Sequence, residues 1–275
     1  MSPPQTAARI IWESFSYRIR MREVNNLAVI LSMMLAFRIA LGDAFYRAIF
    51  ALLLNMYAYL INDYYDVAID LESPQKDQEK VRFLASNQRA AKHALWCLGA
   101  ILAVGAAIHF LFWGVWLLAV AFVCSTVVVV LYSAWLKRIP IADLVVMAFA
   151  GASGTIIGIQ NRPLGWQLLG LLSLLCCGYQ AIQVIRDEPT DRERGVRTTA
   201  VFLGAKRTVW VFRAIMLFSA AYCWGIVGSY LGLVLLVTVV IPMKSKNASK
   251  VWDAVRVVSG TVWLGIMAQV FLGVF

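Results

Sequence analysis

The chain reads Asn62-Asp63-Tyr64-Tyr65-Asp66-Val67-Ala68-Ile69-Asp70 at the end of an apolar run that extends from Ala44 to Ile61. On a continuing helix Asn62, Asp66 and Asp70 are four residues apart, so their side chains share one face. Oxygen-bearing side chains at the end of a membrane-length helix are costly unless they bind something. A hard divalent cation such as Mg²⁺ suits these oxygens. The stretch therefore predicts a metal site at one end of a membrane helix.

A second acidic motif follows far downstream, where Asp187 and Asp191 again stand four residues apart after an apolar run. Asp187 lies 125 residues after Asn62, and Asp191 lies 125 residues after Asp66. The equal offsets predict two membrane helices with matching polar stripes, which face each other as half-sites for a metal-bridged diphosphate. For either motif taken alone, the competing interpretation is a solvated helix end.

The composition is that of a polytopic membrane protein. Of the 275 residues, 61% are hydrophobic, and the mean hydropathy is +0.74. That apolar share is well above the share in soluble domains. Residues 1–23 contain no short apolar core before a cleavage site, so we expect no cleavable signal. The net charge of +10 is interpreted as a consequence of membrane topology rather than of binding nucleic acid, so the expected partners are lipids and not nucleic acid.

Apolar runs of bilayer length predict an all-α fold of about nine membrane helices around a central cavity. Gly42-Asp43 is expected to form the first tight turn. The whole chain, 1–275, is predicted to be one membrane-embedded domain, with the first acidic motif in a half spanning 23–133 and the second in a half spanning 141–275. The predicted spans are 24–41, 44–64, 88–108, 110–132, 141–160, 164–186, 205–224, 226–242 and 253–274.

The distribution of Lys and Arg predicts the orientation. Of these 25 residues, 22 fall in the segments that are internal if the amino terminus is cytoplasmic. Cytoplasmic loops collect such residues, so we expect an internal amino terminus and an external carboxyl terminus. Both acidic motifs would then lie on the cytoplasmic side of the cell (inner) membrane. The internal segments are 1–23, 65–92, 133–140, 186–213 and 243–256.

Cations in these internal segments are candidates for binding phosphate oxygens. Arg22 precedes the first span, Lys76 and Arg82 lie in the long loop at about 71–87, and Lys137 lies in the loop after the fourth span. Tyr132, before that loop, can donate a hydrogen bond to a phosphate oxygen. The competing interpretation is that the cations only mark the cytoplasmic side of the membrane.

Together these motifs resemble the UbiA superfamily of intramembrane prenyltransferases. The pattern of residues 62–70 resembles the first signature of that family, and Asp187-x-x-x-Asp191 with the residues up to Thr198 resembles the second. Arg22-Glu23-Val24-Asn25 is similar to the entry of the family's first helix, although Glu23 stands where proline is common. The likeness covers residues 20 to about 210.

Two further segments are similar to family motifs, with departures. Tyr132 to Lys137 resembles a Tyr/Lys loop motif that has one residue fewer in its commonest form. Pro74-x-Lys76 and Arg82–Ser86 resemble two motifs of the loop after the first signature, with Phe83 and Asn87 in place of proline and glycine. These departures affect the loop over the site and not the acidic motifs.

The resemblance implies Mg²⁺-dependent transfer of a polyprenyl group from its diphosphate to an aromatic or lipid-like, hydrophobic acceptor. It implies metal ligands among Asn62, Asp66, Asp70, Asp187 and Asp191. Asp70 or Asp63 could take the proton of the acceptor. The diphosphate would be bound by Arg22, Asn25, Lys76, Arg82 and Lys137, with help from Tyr132.

Three other functions remain open at the level of sequence. Two belong to the same superfamily: a terpene cyclase acting on a polyprenyl diphosphate, and an enzyme that transfers phosphoribose to a polyprenyl phosphate. The third is a transporter, because intramembrane acids also occur in carriers. Acids at the midplane would favour transport, whereas acids at helix ends, as here, favour a diphosphate site open to the cytoplasm.

Overall fold

The computed structural model describes residues 3–20, 25–72 and 77–275, and every regular element within these ranges is helical. Short 3-10 turns and one π-helical turn, Cys223–Val227, connect or extend the α-helices. The α-helices are α1 (Pro3–Arg20), α2 (Asn25–Ala36), α3 (Leu41–Leu71), α4 (Gln78–Ser86), α5 (Gln88–Trp113), α6 (Leu117–Ala134), α7 (Ala142–Thr155), α8 (Pro163–Glu193), α9 (Thr199–Leu203), α10 (Ala205–Tyr222), α11 (Leu236–Val239) and α12 (Ala248–Phe271).

Nine apolar helical segments in the described ranges correspond to the predicted spans. Six are long and apolar enough to cross a membrane, and three are shorter. The prediction of an all-helical membrane fold is therefore confirmed, whereas the number of spans and the orientation stay predictions. The six long segments are Leu41–Leu71, Gln88–Trp113, Leu117–Ala134, Pro163–Glu193, Ala205–Val227 and Ser245–Phe271, and the shorter ones are Asn26–Ala36, Ala142–Gly158 and Tyr230–Val239.

The prediction of a tight turn at Gly42-Asp43 was wrong. Helix α3 already begins at Leu41, and the chain turns just before it, where Arg38 has a left-handed backbone with φ of 51°. The Arg38 guanidinium donates to the carbonyl oxygen of Phe271 and lies over its ring. These contacts can hold a backbone conformation that a non-glycine residue rarely adopts. Asp43 instead lies in the first turn of α3, where the helix dipole favours a carboxylate.

Two helices occupy segments for which the sequence predicted no membrane span. Helix α1 buries Thr6, Ile10, Ser14 and Arg18, which recur every four residues and so form one face. Helix α4 lies inside the predicted long loop and begins at the cap residue Asp77, whose carboxylate accepts a hydrogen bond from the Lys80 amide at 3.2 Å. Both helices share a buried apolar cluster with α3 and α5: Ile10, Leu60, Val67, Val81, Leu84, Ala91, Ala94 and Leu98.

The chain divides into two compact units. The first comprises Met1–Leu31, Ala40–Ala134 and Ser153–Gly158, and the second comprises Ser32–Ile39, Trp135–Ala152 and Ile159–Phe275. The first acidic motif belongs to the first unit and the second motif to the second unit. The division into halves at 23–133 and 141–275 within one domain stays a prediction.

Within the second unit, helix α8 is the central helix. Its apolar window is 61% buried, against 22–33% for the other long helices. Pro189 lies inside α8, between the two acids of the second motif. Because proline has no amide hydrogen, the carbonyl oxygen of Ile185 lacks its usual intrahelical partner. Helix α8 nevertheless continues past this proline to Glu193.

A buried ion cluster closes the end of the first unit that lies away from the acidic motif. The Arg47 guanidinium donates to Asp43 at 2.8 Å and to the carbonyl oxygen of Ile157 at 3.0 Å. The His109 ring reaches the same carboxylate at 2.7 Å and the carbonyl oxygen of Val115 at 3.2 Å. His109 and Asp43 lie 66 residues apart in the chain, so the packing of the helices brings them together.

Candidate active site

The first acidic motif forms a stripe along the last turns of α3. Asn62 and Asp66 are half-buried, and Asp70 is buried. The side-chain oxygen of Asn62 accepts a hydrogen bond from the Ser133 hydroxyl at 3.2 Å. Ser133 lies in the last turn of α6 and is buried. It was not among the predicted site residues, although it directly follows Tyr132, and a serine at the end of an apolar helix was the available signal.

Asp63 lies at the edge of this stripe, on the side where Asp70 lies. The two residues are seven positions apart, which is about two helical turns, so they lie on nearly the same side of the helix. Its carboxylate accepts hydrogen bonds from the Ser14 hydroxyl at 3.1 Å, the Arg18 guanidinium at 2.7 Å and the Lys80 ammonium at 2.6 Å. Its side chain is only 5% exposed. The structure thus places Asp63 in a three-donor contact within the first unit.

A small cavity lies between α1, α3 and α4, next to the hydrogen bonds of Asp63. Its volume is about 10 Å³, which is room for about one water molecule. The polar lining includes Tyr17, Arg18, Asp63, Asp70, Asp77 and Lys80.

The second acidic motif lies in the last turns of α8. Asp187 receives two hydrogen bonds from the adjacent Arg186 guanidinium, at 2.7 and 2.9 Å, and its side chain is 46% exposed. Asp191 is half-buried. Because the two acids are four residues apart, they share one face of the helix. The exposed carboxylate of Asp187 is open to a further ligand.

The turn after α8 fixes the position of Asp191. Gly195 has φ of 68°, its amide donates to the carbonyl oxygen of Arg192 at 3.2 Å, and the Val196 amide donates to the carbonyl oxygen of Asp191 at 2.8 Å. This pattern is the Schellman motif, in which a glycine supplies the left-handed backbone that ends the helix. Helix α8 therefore ends at Glu193, directly before this turn.

A fully buried carboxylate, Asp143 at the start of α7, holds the segment that follows the second motif. It accepts from the amides of Thr199 at 2.8 Å and of Leu144 at 2.9 Å, and from the Thr199 hydroxyl. The Thr199 hydroxyl oxygen also accepts from the Ile141 amide at 2.7 Å. Asp143 therefore joins the loop that carries Lys137 to the segment that follows Asp191, within the second unit. Asp143 was not among the predicted site residues.

Lys137 lies in the 3-10 turn Leu136–Arg138 and is half-buried. Burial, together with the neighbouring charge of Arg138, lowers the pKa of Lys137 from 10.5 to about 8. Near neutral pH this lysine is cationic in an environment that disfavours its charge, so an anion beside it would be stabilising.

Of the remaining predicted residues, the structure describes the side chains of Tyr132 and Arg82. Tyr132 is half-buried in the last turn of α6, and Arg82 is exposed on α4. Arg22 and Lys76 lie outside the described residues, as does the side chain of Asn25.

The donor sets of both motifs fit Mg²⁺. In the described part of the chain, no three histidine, cysteine or carboxylate side chains come together as a metal site. Mg²⁺ does not need such a cage, since it binds to one or two carboxylates and completes its shell with water and substrate phosphates. Asp66 and Asp70 provide two carboxylates on α3, and Asp187 and Asp191 provide two on α8.

The sequence model of the UbiA prenyltransferase family matches residues 26–269. The chain belongs to this family. It is thus a UbiA-type prenyltransferase, and the transporter alternative loses its support. Helix α1 lies before the matched residues.

Named relatives of this UbiA chain include two archaeal enzymes. The chain is 28% identical over 264 residues to a digeranylgeranylglyceryl phosphate synthase of Methanospirillum hungatei, with 87% of this chain and 90% of the relative covered. It is 32% identical over 209 residues to a lycopene elongase/hydratase of Halobacterium salinarum, with 68% and 67% covered.

Among solved structures, a UbiA homolog from Archaeoglobus fulgidus bound to GPP and Mg²⁺ has the same fold. The TM-score is 0.67 at 15% sequence identity, with 93% of this chain and 99% of that chain covered.

Proposed function

We propose that this UbiA-type enzyme transfers a polyprenyl group from its diphosphate to an isoprenoid lipid acceptor within the membrane, and that the reaction requires Mg²⁺. The observation that carries the proposal is the pair of acidic motifs, each at the end of a long membrane helix and each with two carboxylates four residues apart. Both motifs serve one reaction. Asn62, Asp66 and Asp70 of the first motif and Asp187 and Asp191 of the second are the residues that would bind the Mg²⁺.

The chemistry requires a diphosphate to approach a surface rich in acids. When bound, Mg²⁺ neutralises the diphosphate and stabilises the negative charge that the leaving group gains. The allylic C–O bond breaks, pyrophosphate leaves, a bond forms between the allylic carbon and the acceptor, and the acceptor loses a proton.

The cations of the chain complete the binding of the diphosphate. Lys137 is one candidate, because burial lowers the pKa of its ammonium group and a bound anion would offset that effect. Arg82 on α4 is exposed and available to a ligand. Arg22, Lys76 and Asn25 are proposed for the same role on the basis of the sequence, and Tyr132 as a donor to a phosphate oxygen. Asp70 is proposed as the residue that takes the acceptor's proton.

The names of the relatives support an isoprenoid lipid over an aromatic acceptor. One is named for the synthesis of digeranylgeranylglyceryl phosphate and one for the elongation or hydration of lycopene, and both compounds are isoprenoid lipids. The site is proposed to face the cytoplasm of the cell membrane, where Mg²⁺ and phosphorylated metabolites are found.

An assay of purified protein in lipid nanodiscs tests this function. Prenyl diphosphates of several lengths are supplied with lycopene, a prenylated glyceryl phosphate or an aromatic carboxylic acid, and products are identified by mass spectrometry. We expect a prenylated lipid only with Mg²⁺ or Mn²⁺. A cyclic hydrocarbon formed without acceptor would favour the cyclase alternative, and turnover that persists in excess EDTA would contradict the metal requirement.

Substitution of one carboxylate in each motif tests their shared role. Asp66→Ala and Asp191→Ala should each lower turnover at least about a hundredfold, because each removes a ligand of the charge-stabilising metal. Thermal unfolding should remain close to that of the wild type. Asp253→Ala, which removes an exposed carboxylate from α12, is the matched control and should retain activity. Full activity in either motif variant would contradict the scheme.

A further inference from the structure

Asp63 is enclosed by cations from two helices, α1 and α4. Neither helix was predicted from the sequence, because neither is an apolar membrane span. Arg18 comes from α1 and Lys80 from α4, and their side chains are 11% and 12% exposed. Asp63 is on α3, next to Asn62 of the acidic motif. One carboxylate therefore connects three helices of the first unit.

The electrostatics make this connection strong. Two cations that are nearly removed from water are costly unless an anion and hydrogen bonds compensate for the lost hydration. Asp63 supplies both, with Oδ1 bound to Arg18 and Oδ2 bound to Lys80 and Ser14. Loss of the carboxylate would leave both ammonium and guanidinium groups without this anion, so α1 and α4 would lose affinity for α3 together.

Aromatic rings reinforce the same arrangement. The Arg18 guanidinium lies 4.3 Å from the centre of the Tyr59 ring on α3, and the Lys80 ammonium lies 4.6 Å from the centre of the Tyr17 ring on α1. Arg9 of α1 also lies over the ring of Phe83 on α4, at 4.3 Å. Such cation–π contacts favour a cation at the face of a ring. The contacts hold α1 and α4 to each other as well as to α3.

The arrangement reaches the acidic motif directly. The Gln78 side chain, in the first turn of α4, donates to the backbone carbonyl oxygen of Asp70 at 3.1 Å. Asp63, Asp70 and Lys80 also line one cavity. Movement of α4 would therefore disturb the last turn of α3, where Asp70 projects.

We propose that Asp63 is a positioning residue, which docks α1 and α4 against the motif helix so that Asp70 and the cations of α4 are held ready for the diphosphate. Asp63 is then not the residue that takes the acceptor's proton, because its carboxylate already accepts from three donors. Helix α1, which lies before the residues matched by the family, becomes part of the working enzyme. The link to catalysis rests on the proposed function, whereas the docking itself does not.

Amide hydrogen exchange on the full-length protein in nanodiscs tests the docking. Asp63→Asn should raise exchange at least about tenfold in peptides from both α1 and α4, since each loses its buried ion pair. Lys80→Gln should raise it mainly in α4, because Arg18 and Ser14 still bind Asp63. Lys80→Arg should restore the wild-type pattern. Arg20→Gln, at an exposed position of α1, is the matched control and should change nothing.

Binding of inorganic pyrophosphate with Mg²⁺, measured by calorimetry, tests the positioning role. We expect Asp63→Asn and Lys80→Gln to weaken binding about tenfold while exchange in α8 and α12 stays unchanged. Unaltered exchange in α1 and α4 would overturn the docking. Raised exchange in α1 and α4 with unaltered pyrophosphate affinity would overturn the positioning role. If exchange rose in all peptides of Asp63→Asn, that variant would be generally unfolded, and the exchange and affinity of Lys80→Gln would decide instead. If the wild type bound no pyrophosphate while the exchange pattern held, the proposed function would fail and the docking would stand.

Discussion

Burial lowers the pKa of Lys137 to about 8, and the charge of Arg138 adds to the shift. A lysine whose pKa is depressed in the folded protein is charged below pH 8 and increasingly neutral above it. A bound diphosphate would favour the charged form and so raise the pKa again. Binding at pH above 8 would then require uptake of a proton, and affinity would fall as pH rises.

We therefore expect the affinity for geranyl diphosphate with Mg²⁺ to fall about tenfold between pH 7 and pH 9, as the charged fraction of Lys137 falls. Lys137→Arg should remove most of this decrease, because a guanidinium stays charged across the range. Calorimetric titration at several pH values measures both. An equal decrease in the two proteins would show that Lys137 does not contact the diphosphate.

At the scale of elements, hydrogen bonds between segments that are distant in the chain join the loop that carries Lys137 to the segment that follows Asp191. Asp143 at the start of α7 binds Thr199 at the start of α9, through its amide and its hydroxyl. The Thr199 hydroxyl oxygen in turn accepts from Ile141, whose backbone is left-handed with φ of 71°. A β-branched residue rarely adopts that conformation, so the Thr199 contact helps to hold it.

Thr199→Val should lower the free energy of unfolding by about 1–3 kcal/mol, because it leaves a buried carboxylate with one donor fewer and the Ile141 amide without its acceptor. Thermal unfolding in one fixed detergent gives the comparison. Thr199→Ser keeps the hydroxyl and should remain close to the wild type. Equal melting temperatures for the valine and serine variants would show that the hydroxyl contributes nothing.

At the scale of the whole molecule, the exposed surface of the long helices is apolar. On α5, for example, Leu111 and Phe112 are 79% and 78% exposed. Such exposure would be costly in water but is expected against lipid. The predicted orientation in the membrane rests on the bias of Lys and Arg and not on this apolar surface, because lipid tails do not distinguish the two sides.

The predicted orientation can be measured with reporter fusions expressed in bacteria. A carboxyl-terminal alkaline phosphatase fusion should be active and a carboxyl-terminal green fluorescent protein fusion dark, since the positive-inside rule places that terminus outside. An amino-terminal fluorescent fusion should be bright and serves as the control for expression. The opposite pattern at the carboxyl terminus would overturn both the orientation and the cytoplasmic position of the site.

Sequence reasoning predicted the helices best where apolar runs are long. The run before Asn62 and the run before Asp187 gave α3 and α8, because twenty apolar residues leave few alternatives to a membrane helix. It predicted helix ends less well. The predicted span was 44–64, whereas helix α3 extends from Leu41 to Leu71. Helix ends depend on local contacts that a hydropathy pattern does not contain.

The amino-acid sequence by itself determined the helical membrane fold and the spacing of the two acidic motifs, because hydropathy and spacing are local properties of the chain, and its motifs indicated the family by resemblance. Only the tertiary structure decided the environment of the individual acids. Asp63 and Asp66 are three residues apart in one motif, yet Asp63 is held by Arg18 from 45 residues before it. Asp143 is held by Thr199 from 56 residues after it. A charged side chain acquires its role from the groups that replace its lost water, and those groups come together only when the helices pack.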